Sequence, residues 1–133
     1  MPEDHTKPFG CDRCWPADAD ADAAWKAMLE LRIALRLIDE SHFTVKLRTC
    51  ERCGQGFVTV FTETIDWQGG DDPQRWSVTP VTPDESIALQ GAGGLMAMLH
   101  KLAPERRSLC HDSPKGEPPR NFWTQGIVIG PHD

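Results

Sequence analysis

Two four-residue words, Cys11-Asp12-Arg13-Cys14 and Cys50-Glu51-Arg52-Cys53, carry the chemistry that is easiest to read in this chain. Each reads cysteine, acid, arginine, cysteine. A thiolate pair spaced by two residues can curl around one cation as a knuckle, and two knuckles supply the four sulfurs of a closed tetrahedral Zn²⁺ site. Cys11, Cys14, Cys50 and Cys53 are therefore the expected metal ligands. Four protein ligands leave no position for water or substrate, so the pattern points to a structural metal and away from zinc catalysis. Iron suits the same donor set.

A dithiol redox centre is the rival use of the same residues. Such a centre places Cys-x-x-Cys after a strand and at a helix N-terminus, where the helix dipole stabilises a thiolate. The first word has the following helix but no preceding strand, and the second has the strand but no helix. A fifth thiol, Cys110, sits beside His111. Adjacency in sequence does not bring a nucleophile and a base together in space, so these two read as a free thiol and a surface histidine. His42 and His100 read as packing or solvent-facing groups. Glu63 and Asp66 could form an acid/base pair, but nothing else in the sequence converges on them.

A third group of residues suggests binding. Glu63, Asp66, Trp67, Asp71, Asp72 and Trp76 fall within fourteen residues around a turn. Aromatic anchors flanked by charge are common materials of a protein interface. The net charge of −6 is uneven: residues 1–22 carry −4 and residues 54–86 carry −5, whereas residues 23–53 carry +2 and residues 87–133 carry +1. Acidity of this kind steers toward basic partners. No clustered basic footprint for nucleic acid is visible in the sequence. The expected function is a non-enzymatic, zinc-binding protein that acts through protein–protein contact, for example by inhibiting a basic partner as immunity or antitoxin proteins do. A thiol or iron–sulfur redox protein is the second reading, and a nucleic-acid-binding zinc ribbon the third.

The elements that must position these residues follow from periodicity. At 133 residues, 39% hydrophobic and 26% charged, the chain has the makings of one soluble domain, residues 1–133, with a flexible polar lead-in over residues 1–10. The N-terminal residues lack the basic start and apolar run of a secretory signal, and the paired cysteines fit a reducing compartment, so a cytoplasmic location is expected. The longest apolar-rich stretch, residues 23–38, contains Lys26, Glu30, Arg32 and Arg36 and is unsuited to a membrane span. Acids at residues 18–22 mark a helix N-terminus. From there Ala24, Met28, Leu31, Leu35 and Ile38 recur at three- and four-residue steps, which predicts one long amphipathic helix.

Phe43, Val45 and Leu47 then alternate with Thr44, Lys46 and Arg48, the pattern of a half-buried strand. A second strand is read from residue 57 to residue 67 and a third over residues 76–79, so the second knuckle tips a β-hairpin. Thr82-Pro83-Asp84-Glu85 forms a capping box and opens a short helix, which Gly91, Gly93 and Gly94 interrupt before a second helical run ends at Pro104. Asn121, Phe122 and Trp123 with Ile127, Val128 and Ile129 suggest a final apolar segment tied back to the body. The expected fold is α+β: a three-stranded antiparallel meander, a long amphipathic helix on one face, a broken second helix and a four-cysteine zinc site.

The segment Thr49-Cys50-Glu51-Arg52-Cys53-Gly54, set between two strands, resembles a zinc-ribbon or rubredoxin-like knuckle. The resemblance covers about a third of the chain and implies a ribbon with a helix inserted between its two knuckles. Residues 53–57 through Trp67, with Gly70-Asp71-Asp72-Pro73-Gln74, also look like those of small uncharacterised bacterial proteins.

Overall fold

The computed structural model describes residues 9–16, 20–70, 72–91, 95–102 and 104–131. Its centre is one six-stranded antiparallel sheet in which each strand pairs with the next, in the order β1 to β6. The strands are β1 (Arg32–Glu40), β2 (Phe43–Thr49), β3 (Gly56–Glu63), β4 (Gln74–Val81), β5 (Arg107–Ser113) and β6 (Arg120–Gln125). Three short helices accompany them: α1 (Ala21–Leu29), α2 (Pro83–Gln90) and α3 (Leu95–Lys101).

This overturns the expected three-stranded meander with one long helix. The helix ends at Leu29, Glu30 caps it, and the chain turns at once into edge strand β1. Residues 31–38 contain Leu, Ala and Arg, which favour a helix. The same residues place Ile33, Leu35 and Leu37 at alternate positions, so a period of two competes with a period of 3.6. Pairing with β2 over Arg32 to Glu40 decides the contest, because the ladder sets side chains of β1 beside those of β2 and lets Leu37 and Ile38 pack against the core. β5 and β6 were hidden for another reason: charged and polar residues such as Arg107, His111, Asp112, Arg120 and Asn121 stand at strand positions.

Alternation distributes side chains to two covered faces. Phe57, Val78 and Leu109 point to one side and pack with Cys14, Trp15, Ala24, Met28, Leu31 and Cys50, so α1 and both knuckles lie on that face. Phe43, Val45, Leu47, Val58, Val60 and Val81 point to the other, beneath Leu89 of α2 and Leu99 of α3. Ile127 and Ile129 complete this second layer, which ties the C-terminal segment back to the body. Central strand β3 is buried on both sides and therefore carries a nearly continuous apolar run.

Helix ends follow local chemistry. The Asp20 carboxylate accepts from the Ala23 N–H at 3.1 Å and opens α1. At α2 the Thr82 hydroxyl accepts from the Glu85 N–H at 3.1 Å, and the Glu85 carboxylate accepts from the Thr82 N–H at 2.8 Å, so the capping box forms as read. Arg106 also pairs with Glu85. Burial raises Glu85, but the Arg106 guanidinium and the Thr82 N–H outweigh it and hold the carboxyl below its ordinary range. Gly93 and Gly94, read as part of the break between helices, lie outside the described residues, as does most of the N-terminal lead-in.

Candidate metal centre

The four cysteines of the two words meet. The Sγ atoms of Cys11, Cys14, Cys50 and Cys53 all lie within 4.8 Å of one another. Individual separations are 3.6 Å for Cys11–Cys14, 3.7 Å for Cys14–Cys53 and 4.0 Å for Cys11–Cys50. A tetrahedron with metal–sulfur bonds of about 2.3 Å has edges of about 3.8 Å. The donor set therefore fits a single four-coordinate cation.

Each knuckle is shaped by backbone hydrogen bonds. In the first, the Trp15 N–H donates to the Cys11 carbonyl at 2.9 Å and the Cys11 N–H points at the Cys14 sulfur at 3.2 Å. In the second, the Gly54 N–H donates to the Cys50 carbonyl at 2.8 Å, and the Cys50 N–H to the Gln55 carbonyl at 2.9 Å. Gly54 turns through a φ of +79°, a conformation that costs a residue with a Cβ. Gly10 does the same at +68°, and an added Cβ there would stand 2.7 Å from the Cys14 sulfur.

Gln55 is the residue that sequence reasoning missed. Its Oε1 accepts from the Gly10 N–H at 3.0 Å, while its Nε2 donates to the carbonyls of Gly56 at 2.8 Å and Val81 at 2.7 Å. One side chain thus fastens the first knuckle to β3 and β4. Its signal in the sequence was slight: an amide between the two glycines that follow Cys53. Arg13 pairs with Glu30 at 3.1 Å and Arg32 with Glu51 at 3.9 Å, but these exposed pairs add little.

The thiols differ in environment. Cys14 and Cys50 are buried, Cys11 is half-buried and Cys53 is exposed. Backbone N–H groups of Cys14 and Arg13 hold Cys11 down to about 7 against its burial, whereas burial pushes Cys14 and Cys53 up. Beside the cluster a cleft of about 220 Å³ is lined by Cys14, Ala27, Leu31 and Cys50 and by the charged residues Arg13, Glu30, Glu51 and Arg52. A cation bound by all four sulfurs would clamp the N-terminal knuckle, and the helix after it, onto the sheet.

The remaining candidates do not join this centre. Cys110 faces the α2–α3 side of β5, is 1% exposed, and is pushed up to about 11 by burial. His111 faces the opposite side, where its ring stacks on Trp25 at 4.0 Å. His42 binds Glu63 at 3.1 Å, and Gln74 donates to the same carboxylate at 2.6 Å. His100 is exposed on α3.

Asp66 pairs with Lys115 at 2.8 Å and accepts from the Gly69 and Gln68 N–H groups. Asp72 accepts from the Asp66 N–H at 2.7 Å, and Asp71 lies outside the described residues. Trp67 projects from this turn with 84% of its surface exposed, while Trp76 packs at 4.8 Å against Phe61.

Compared with protein-family models, curated proteins and solved structures, the chain matches none. Among the described residues no helix is long and apolar enough to cross a membrane.

Proposed function

We propose that this chain is a non-enzymatic binding protein in which zinc, held by Cys11, Cys14, Cys50 and Cys53, is structural and the turn carrying Trp67 contacts a protein partner. The exposure of Trp67 carries the reading. A tryptophan left 84% open to water is unusual, and this one sits on a turn braced by Asp66, Asp72 and Lys115. An aromatic anchor on an ordered support is the arrangement that gives a large share of binding energy when a partner buries it. Two acids around it serve the turn: Asp66 holds Lys115, and Asp72 accepts from the Asp66 N–H. The partner is then drawn by the net charge of −6, which favours a basic protein, and gripped through the indole.

Zinc is favoured over iron because the cysteines serve to join distant segments, the task of closed structural zinc sites. The test has two arms on the purified chain. Elemental analysis is expected to find about one zinc per chain; iron, or no metal, would sink the zinc assignment. In an affinity capture, a basic protein should be retained by the native chain and lost with Trp67→Ser. Capture that survives this substitution, or no specific partner at all, would remove the binding assignment.

A further inference from the structure

The sheet gathers cations that the sequence scatters. Arg36 of β1 stands opposite Lys46 of β2, and Arg48 follows Lys46 two positions along the same strand, so the three share a face. Like charges set directly across a strand pair repel and destabilise the sheet. No ion pair among the described residues includes any of the three. Arg48 is only 9% exposed, and its Nε donates to the Thr59 hydroxyl at 3.3 Å, while its terminal Nη groups bond no described residue. Burial and the neighbouring Arg36 charge both push this guanidinium below its ordinary range. A buried cation without a counter-ion is costly, and a chain with 20 acids against 14 bases had acids available to neutralise it.

An aromatic row runs beside the cations. In register across the sheet, Thr44 stands opposite Phe61, Phe61 opposite Trp76, and Trp76 opposite His111. Lys46 and Thr44 are two positions apart on one strand, so the aromatic row lies on the same face, about 7 Å from the basic row. Phe61, Trp76, His111 and Trp25 are each half-buried. Trp25 of α1 borders the row, stacked on His111 at 4.0 Å and edge-on to Trp76 at 6.0 Å. Two acids border the row: Asp39, opposite Thr44 at its outer end, and Glu63, two positions from Phe61 on β3 and bound to His42 and Gln74.

From this juxtaposition we propose that the face built by Arg36, Lys46, Arg48, Phe61 and Trp76 binds single-stranded nucleic acid, with phosphates on the basic row and bases on the aromatic row. Cations alone would suit any anion. The adjoining rings select a ligand that alternates charge with flat apolar groups, which is the composition of an unpaired strand and the usual material of its binding sites. An acidic polypeptide would use the cations and leave the rings idle. The net charge of −6 repels nucleic acid elsewhere on the molecule, so contact is confined to this face. The Trp67 turn joins the ends of β3 and β4 beyond Glu63 and Gln74, and the proposal does not depend on the partner proposed there.

The test is fluorescence anisotropy of labelled single-stranded DNA and RNA oligonucleotides of about twelve residues, with the metal-loaded chain, across a salt series. Three phosphate contacts predict a slope of about −2 in log affinity against log salt, and Lys46→Gln or Arg36→Gln should each reduce it by about 0.7. Both positions reach solvent, so these variants should keep the native circular dichroism. Phe61→Leu should weaken binding about fivefold or more without changing the slope. Inorganic polyphosphate and poly-glutamate should compete poorly at equal charge. The proposal fails if no oligonucleotide binds at low salt, if the slope in either charge variant equals that of the native chain, or if either polyanion competes as well as nucleic acid does.

Discussion

Gly10 and Gln55, 45 residues apart in the chain, are joined by a 3.0 Å hydrogen bond from the glycine N–H to the glutamine Oε1. The same glutamine spends its Nε2 on Val81, so the first knuckle, the second knuckle and β4 meet at one amide. Gln55→Ala would strand a donor and an acceptor in a half-buried place. The expected loss is on the order of 1–3 kcal/mol in urea denaturation, with faster surrender of metal to a chelator. An unchanged midpoint and unchanged release would show that the bond is incidental.

Gly10 and Gly54 offer a matched pair. Both have positive φ, but a Cβ on Gly10 would collide with the Cys14 sulfur and Trp15, whereas Gly54 has open space around it. Gly54→Ala should cost about 1–2 kcal/mol from backbone strain alone and leave metal content intact. Gly10→Ala should cost more and lower the metal content, because the thiol must move. Equal metal occupancy in the two variants would contradict this.

Thiol reactivity should follow burial. After chelation, alkylation read by peptide mass spectrometry is expected to mark Cys11 and Cys53, the two thiols that reach solvent, first, with Cys11 favoured by its lowered pKa, and Cys110 last, the latter only on global unfolding. Early labelling of Cys110 would mean that β5 opens far more readily than its packing implies.

The Trp67 turn should respond to acid. The Lys115 contact, helped by the Gly69 N–H, lowers Asp66 from 3.8 to about 2. A depressed carboxyl stabilises the fold above its unfolded pKa and loses that contribution as pH falls through the folded value, so the turn should loosen between about pH 4 and 2. Trp67 emission reports it. Lys115→Gln should move the midpoint toward pH 4, and a midpoint that stays put would refute the role of the lysine.

What the sequence made legible was whatever local chemistry decides. The cysteine words, the Thr82 capping box and the alternation of Phe43, Val45 and Leu47 are short-range signals, and each appears where it was read. The helix expected through Ile38 failed because residues 31–38 satisfy two periods at once, and only the presence of β2 alongside them selects the strand. β5 and β6 were missed because their polar positions are satisfied by distant groups, as where Asn121 bonds both His111 and Asp22. The basic row escaped notice since charge totals along a chain say nothing about which strands become neighbours.

The connection order of the sheet has a kinetic meaning. Every strand pairs with its predecessor, so β1 through β4 can assemble by short-range steps of the kind that fold quickly, and β5 with β6 joins after α2 and α3 have formed the longer connection. The first knuckle and α1 are the exception, since Arg107 reaches back to the Pro16 carbonyl and Asn121 to Asp22, across 91 and 99 residues. On a ribosome the apolar side of α1 would therefore emerge long before β5 and β6 exist to cover it. Both cysteine words, however, are available once residue 55 has appeared. A cation captured at that stage would leash the unpaired helix to the growing hairpin, shortening the search that closes the molecule and keeping Ala24 and Met28 near the surface that will bury them.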